Sequence, residues 1–197
     1  MPTSVRWIEL SDGDPGVRYD VDLEIMELAH AFRISPSELP AAPIPYLHVD
    51  AARRLSSAFT VGVVARAGEW DHRRSVPSSL AHFAVERVAV FDLQLEGETL
   101  PGTRRAGERD ALALGARLRS LDLVITVDTM MAHFAGALGV PTWLLLPYES
   151  DWRWMCDRTD SPWYPSLRLF RQPEPDDWTS VIAEVRNELR EIVACAR

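Results

Sequence analysis

Apolar positions recur along the chain with two different periods, and together they predict strands and helices in alternation. Short apolar runs rich in β-branched residues predict buried strands, which we expect at residues 5–10, 58–65, 87–94, 123–127 and 142–146. Apolar residues with helical spacing predict helices, which we expect at residues 22–33, 108–118 and 178–194, with a further helix start at 78–83. Alternation of strands and helices is typical of α/β proteins with a doubly wound parallel sheet, and we expect that fold class here.

A proline-rich segment separates the first predicted strand and helix from the remainder of the chain. Residues 35–46 contain Pro36, Pro40, Pro43 and Pro45. Because proline fixes φ and has no backbone N–H, so many prolines exclude a helix and predict an extended connector. We expect residues 1–46 to form a strand, a helix and this connector, and residues 47–197 to form the α/β domain.

The strand predicted at residues 123–127 runs through Asp128 and Thr129 directly into another helix, which ends at Gly139. Asp and Thr both cap helix N-termini. A helix that starts at the carboxyl end of a parallel strand presents free backbone N–H groups and a positive dipole end, which favour a phosphate or diphosphate. We expect the Thr129 hydroxyl and the Met130 and Met131 amides to bind such a group, although helix capping alone explains the same residues equally well.

Ligands of doubly wound sheets bind beyond the carboxyl ends of the strands, where loops 66–75, 128–131 and 147–154 are expected to meet. Each candidate has a structural alternative: the arginines suit a solvated loop, His133 suits a buried histidine, and the tryptophans suit a cover over the core. The candidate ligand-binding residues are Asp128, Thr129, Met130, Met131, His133, Arg66, Arg74, Ser75, Trp152, Arg153 and Trp154. Asp128 and His133 are also the candidates for acid–base chemistry, since no nucleophile with a neighbouring base is apparent.

Composition narrows the choice of partners. The 197 residues carry a formal net charge of −8, so a general nucleic-acid binder is not expected. All 21 basic residues are arginine, which excludes a Schiff-base lysine and suits bidentate binding of phosphates, although a genome composition bias explains the same absence of lysine. The two cysteines lack metal-ligand spacing, and no apolar run reaches the ~18 residues of a spanning helix. We expect no metal, no cofactor, no membrane span and a cytoplasmic location.

Residues 122–172 resemble the C-terminal half of the heptosyltransferase-like glycosyltransferases of family 9, in particular the members fused to tetratricopeptide repeats. Residues 61–75 resemble the first strand of that half and its following loop, and residues 44–47 match the connector between the two halves. Residues 5–33 are similar to the end of the family's N-terminal domain. The resemblance implies a GT-B fold, of which this chain holds the Rossmann-like C-terminal half and a short strand–helix remnant of the other half.

In that family the C-terminal domain binds the nucleotide-sugar donor. The resemblance places Arg74 and Ser75 in the loop that faces the donor groove. It further implies contacts with the donor's diphosphate and sugar from Asp128, Thr129, the amides of Met130 and Met131, and His133. The strand-to-helix turn independently indicates Thr129 and the Met130 and Met131 amides, whereas Asp128 is expected to cap amides or orient a neighbour.

The sequence also departs from the family. Members usually carry Trp where this chain has Ala65-Arg66, and the loop to Ser75 is shorter. In the family, the N-terminal domain supplies the acceptor site and the catalytic acid or base, and we expect most of that domain to be missing here. We therefore expect a glycosyltransferase-like protein that binds a nucleotide-diphosphate sugar and needs a homodimer or a second subunit. The alternative is a repurposed, non-catalytic interaction or scaffold protein of a biosynthetic pathway. A third hypothesis is a small stand-alone enzyme that uses Asp128 and His133.

Overall fold

The computed structural model describes residues 18, 27–35, 44–69 and 71–195. The chain divides into two compact units, Met1–Glu38 and Leu39–Arg197. In the first unit, one short helix, α1, spans Leu28–Ala31 within the predicted helix at 22–33. The predicted strand at residues 5–10 lies outside the described residues, and the predicted domain boundary after residue 46 stays a prediction.

A parallel sheet forms the centre of the second unit, and its strands run in the order β3-β2-β1-β4-β5-β6 across the described residues. The strands are β1 Phe59–Val64, β2 Val88–Asp92, β3 Arg104–Arg105, β4 Leu123–Val127, β5 Thr142–Leu146 and β6 Leu167–Arg171. The helices are α2 Ala111–Arg119, α3 Met130–Ala137 and α4 Trp178–Cys195. This order is that of the Rossmann fold, so the predicted α/β class with a doubly wound parallel sheet is confirmed.

The hydrophobic core lies on both faces of the sheet. Alternate residues of β4 point to opposite faces: Ile125 and Val127 join the cluster under α4, whereas Val124 joins the cluster under α2 and α3. Every residue of β4 and β5 is buried. Because a strand covered on both faces has no solvent-facing side, its sequence is a continuous apolar run, which is why these two strands were predicted with their observed bounds.

Two strands and one segment differ from the sequence-based expectations. β6 was not predicted because Arg168 and Arg171 interrupt its apolar pattern, and β3 has only two residues. The predicted helix start at residues 78–83 is wrong, since the segment makes a single turn and then continues without helical structure. The physical reason is that Ala81 and Phe83 are both buried in the core, and two residues spaced by two cannot share one helix face.

Helix α3 packs closely against the loop that precedes β6. An alanine Cβ at Gly136 would lie 2.7 Å from Cδ1 and 2.8 Å from Cδ2 of Tyr164, so only glycine lets the phenol ring rest on the helix backbone. Gly139, in the left-handed region at φ +68°, then ends α3 as the sequence predicts. Gly136 thus determines how closely α3 approaches Tyr164.

We expect Gly136→Ala to lower the free energy of unfolding by about 2 kcal/mol, because the added methyl group overlaps the Tyr164 ring. Urea unfolding followed by circular dichroism measures the change. Gly115→Ala in α2 is the matched control, since its added Cβ would come no closer than 3.2 Å to Val49 Cγ2 and 3.3 Å to Phe134 Cζ. Equal stability of the two variants would contradict the role assigned to Gly136.

Candidate functional site

The strand order reverses between β1 and β4, because the chain moves outward from β1 to β2 and β3 and then returns to β4 on the other side of β1. The loops after two such strands diverge and leave a crevice at the carboxyl edge of the sheet. A cavity of about 410 Å³ lies there, bounded by residues 71–74, 128–133 and 149–153. We call it the polar cavity. All three loops expected from the sequence contribute to its walls.

The turn from β4 into α3 leaves the Met130 amide as a backbone donor beside the polar cavity. Thr129 has φ −147° and ψ 177°, and its Oγ1 accepts a hydrogen bond from the Met131 amide at 3.2 Å. The Met130 amide, at the first helical position, makes no hydrogen bond to the described part of the chain. One of the two amides expected to bind a phosphate is therefore capped by Thr129, and the other remains available for a ligand.

Arg74 and Asp128 hold this turn together. Arg74 Nη1 donates to the Asp128 carbonyl oxygen at 2.7 Å and lies 3.9 Å from Asp128 Oδ2, and both side chains are largely buried. Burial raises the pKa of Asp128, while the Trp154 indole N–H and Arg74 act in the opposite direction. Within the described residues, Trp154 Nε1 makes no hydrogen bond. Its N–H group therefore affects the pKa of Asp128 as a nearby dipole. The carboxylate is thus oriented by the protein and is partly desolvated.

Two short 3-10 turns bring further arginines to the polar cavity. Asp71 caps the turn His72–Arg74, and its carboxylate accepts from Arg73 Nε at 3.0 Å. Asp151 caps the turn Trp152–Trp154, and its carboxylate accepts from Arg153 Nη1 at 2.9 and 3.0 Å. Each of these arginines is held by the carboxylate two residues before it. The cavity therefore presents paired acids and bases rather than a uniformly positive surface.

Arg171, at the end of β6, fixes the loop after β5. Its guanidinium donates to Ser150 Oγ, to the Met155 carbonyl oxygen at 2.6 Å and to the Trp154 carbonyl oxygen at 3.3 Å. Burial lowers the pKa of Arg171, as expected for a charge held by neutral acceptors. This anchor was not predicted, because β6 itself was not predicted.

His133 lies one turn into α3, at the wall of the polar cavity. Its ring stacks on Trp154, with ring centroids 5.1 Å apart and planes inclined by 26°, and its Nδ1 lies 3.2 Å from the Tyr164 hydroxyl. Burial lowers the pKa of His133, whereas the Asp128 carboxylate opposes that change. The imidazole is therefore neutral near pH 7, and Nε2 is the ring nitrogen left for a ligand.

A second cavity, of about 460 Å³, adjoins the first and shares Thr129 and Met130 with it. We call it the apolar cavity, because Leu93, Leu95 and Met131 contribute much of its wall. Arg66 borders this cavity and donates to the carbonyl oxygens of Glu98 at 3.0 Å and Glu96 at 2.8 Å. The arginine thus holds the loop after β2 in place.

The structure separates the eleven candidate residues into groups. Asp128, Thr129, Met130, His133, Arg74 and Arg153 border the polar cavity, and Arg66 and Met131 border the apolar cavity. The other three border neither. Ser75 Oγ accepts from the Ala67 amide at 2.9 Å, Trp154 is fully buried, and Trp152 is 65% exposed. Trp154 therefore has no exposed ring face for a ligand, and its role is to stack against the His133 ring.

Several residues of the polar cavity were not among the candidates, and these are Asp71, Arg73, Glu149, Ser150 and Asp151. Their only sequence signal is their position in the loops after β1 and β5. Within the described ranges, no group of three or more His, Cys, Asp or Glu side chains could hold a metal ion. A search of the same ranges also finds no helix that is long and apolar enough to cross a membrane.

Comparison with known proteins gives one distant similarity. Protein FlbA of Caulobacter vibrioides is 34% identical over 113 residues, which are 57% of this chain and 17% of that protein. The chain thus spans about a sixth of the length of this relative. No family model matches the chain, and no solved structure matches it.

The Arg74–Asp128 contact gives a prediction about stability and pH. Arg74→Gln should lower the free energy of unfolding by about 2 kcal/mol at neutral pH, because it removes a hydrogen bond from a charged donor and leaves Asp128 buried without that countercharge. The folded-state pKa of Asp128 is already raised above the ordinary 3.8. The folded protein therefore loses stability as the pH rises from 3.8 through the raised pKa of Asp128, because Asp128 becomes a buried charge. The stability lost in Arg74→Gln should shrink as the pH falls towards 3.8, because a protonated Asp128 needs no countercharge.

Urea unfolding at several pH values measures this effect. The double variant Arg74→Gln/Asp128→Asn is the control, because it removes the charge that Arg74 compensates and should recover part of the lost stability. A loss that is independent of pH and is not reduced by Asp128→Asn would contradict the proposed pairing.

Proposed function

We propose that the chain binds a nucleotide-diphosphate sugar across the two cavities, as the donor-binding part of a glycosyltransferase-like protein. The observation that carries this proposal is the Met130 amide. It lies at the start of α3, at the point where the strand order reverses. It donates no hydrogen bond to the described part of the chain. Thr129 and Met130 border both cavities, so a diphosphate at this turn would connect groups bound on either side.

The size and chemistry of the two cavities support the same ligand. Volumes of about 410 and 460 Å³ each fall within the usual range for small-molecule sites. The paired acids and arginines of the polar cavity suit a sugar, since hydroxyl groups can donate to carboxylates and accept from guanidinium groups at once. Leu93, Leu95 and Met131 in the apolar cavity suit the flat face of a nucleobase. The proposal therefore places the sugar in the polar cavity and the base in the apolar cavity, with no metal or cofactor required.

The resemblance to family 9 glycosyltransferases adds support from the sequence. It rests on residues 122–172, which include the turn, α3, β5 and the loop fixed by Arg171. The same resemblance assigns the acceptor site to another domain, so we propose that a second copy or a partner chain provides it. Trp152 is 65% exposed, packs edge-to-face with Trp163, and lies in sequence between Asp151 and Arg153, which border the polar cavity. It supports a partner surface at this place. A cytoplasmic location belongs to the same proposal.

A non-catalytic interaction or scaffold protein is the second candidate, and one observation favours it. The polar cavity has four carboxylates, on Asp71, Asp128, Glu149 and Asp151, against three arginines. Asp71 and Asp151 already hold Arg73 and Arg153. A diphosphate would have to share these arginines with the carboxylates, which weakens its binding. A folded chain that binds no nucleotide would favour this second candidate.

Calorimetry with UDP-, GDP- and ADP-sugars tests the proposal, and Met130 allows a specific variant. Met130→Pro removes the available N–H at the first helical position, where proline is well tolerated, and the extended backbone of Thr129 suits the residue before proline. Because a hydrogen bond to a charged group contributes about 1.5–3 kcal/mol, we expect the variant to bind the donor at least about tenfold more weakly.

Met130→Ala is the matched control, since it removes the same exposed side chain but keeps the amide, and its affinity should fall less than that of Met130→Pro. No heat of binding from any of the three nucleotide sugars with the folded wild type would contradict the proposed function. Equal binding by Met130→Pro and Met130→Ala would contradict the assignment of the diphosphate to this turn.

Association with a second copy can be tested separately. Light scattering coupled to size-exclusion chromatography should give twice the mass of one chain for the wild type. Trp152→Ser should reduce this mass, because the variant removes a large exposed aromatic side chain from the loop that contains Asp151 and Arg153. Leu112→Ser is the control, since Leu112 is 70% exposed on α2 and its neighbours in sequence border neither cavity, whereas Trp152 lies between Asp151 and Arg153 of the polar cavity. A wild type that is monomeric at all concentrations would leave a different partner chain as the only source of the acceptor site.

A further inference from the structure

The ring of His133 is fixed by its neighbours rather than by the ligand. Trp154, which is fully buried, covers one ring face at a centroid distance of 5.1 Å. Tyr164 meets the ring at its edge, with centroids 5.8 Å apart and planes inclined by 67°, and its hydroxyl lies 3.2 Å from Nδ1. These contacts determine which ring nitrogen faces Tyr164 and which is left for the polar cavity.

Tyr164 is itself held in place. Its ring rests on Gly136, and its backbone amide donates to Ser161 Oγ at 3.3 Å. Its hydroxyl lies 3.4 Å from the hydroxyl of Tyr46, which is half exposed. Burial raises the pKa of Tyr164, so the phenol keeps its proton at all physiological pH values. The Tyr164 hydroxyl therefore always has one hydrogen to donate.

The direction of the hydrogen bond between Tyr164 and His133 follows from the acidity of the two groups. A neutral imidazole has one N–H group and one nitrogen lone pair. The phenol O–H is a stronger donor than the imidazole N–H, and the imidazole nitrogen is a stronger acceptor than the phenol oxygen. The favourable arrangement has Tyr164 donating to Nδ1, while Tyr46 donates to the Tyr164 oxygen.

We propose that Tyr164 is a positioning residue that holds His133 as the Nε2–H tautomer, so that His133 offers the polar cavity a hydrogen-bond donor and not a base. The ligand atom that it takes is an oxygen acceptor, either a phosphate oxygen or a hydroxyl oxygen of a sugar. The tautomer depends only on the protein, whereas the identity of the ligand rests on the proposed function. His133 is thereby excluded as the group that removes a proton from an acceptor substrate, because its only lone pair is occupied by Tyr164.

Nitrogen NMR of the full-length, uniformly ¹⁵N-labelled chain tests this assignment directly. Long-range correlations between ring protons and ring nitrogens distinguish a protonated nitrogen from one with a lone pair. The chain has five histidines, and His133→Asn identifies the His133 signals by their disappearance. Near pH 7 the wild type should show Nδ1 with a lone pair and Nε2 with a proton. A proton on Nδ1, or on both nitrogens, would overturn the proposal.

Tyr164→Phe keeps the ring that packs on Gly136 and removes only the hydroxyl. The His133 ring should then exchange between its two tautomers, so the chemical shifts of Nδ1 and Nε2 should move towards each other. Tyr46→Phe is the matched control, since it removes a hydroxyl one step further away and should leave the two shifts close to their wild-type values. Unchanged His133 shifts in a folded Tyr164→Phe variant would also overturn the proposal.

Titration with inorganic pyrophosphate separates this inference from the proposed function. If both hold, pyrophosphate should move the Nε2 signal of His133 more than its Nδ1 signal. A wild-type tautomer as expected, with no response to pyrophosphate, would support the positioning role of Tyr164 and count against the phosphate part of the proposed function alone.

Discussion

The path of the backbone from β4 into α3 is the constraint on which the candidate site depends. β4 is buried on both faces and lies beside β1, where the strand order reverses. The buried strand ends at Val127, directly before Asp128. Thr129 is the N-cap of α3, so the helix begins only three residues after the strand ends. Met130, the first residue of α3, therefore borders the crevice between the diverging loops. The polar cavity, the apolar cavity and the position of His133 all follow from this short turn.

The charged groups around the turn serve to orient one another. Asp71 holds Arg73, Asp151 holds Arg153, and Arg74 bonds to the Asp128 carbonyl group. Such pairs limit the electrostatic attraction available to an anion, but they also reduce the entropy lost when a ligand binds, because the side chains are already in place. A ligand with many hydroxyl groups gains more from such a surface than a simple phosphate does. The strength of phosphate binding at this surface is therefore what distinguishes the donor-binding proposal from its non-catalytic alternative.

Much of the fold could be predicted from local sequence. β4 and β5 were predicted with their observed bounds, since fully buried strands have uninterrupted apolar runs. β6 was missed because Arg168 and Arg171 are directed to Glu188 and to the loop after β5, and those partners are distant in sequence. The helix start expected at residues 78–83 was wrong because burial of Ala81 and Phe83 under the sheet prevails over local helical propensity.

The candidate site also has some features that the local sequence predicts and others that depend on tertiary contacts. The sequence alone determined the turn at Asp128 and Thr129, because capping residues and the change of hydrophobic period are local signals. Only the tertiary structure decided that Trp154 is buried under His133, that Ser75 braces its own loop, and that Tyr164 meets the Nδ1 atom of His133. These contacts join residues far apart in the chain, and their geometry depends on how the sheet and helices pack, which no local pattern of residues encodes.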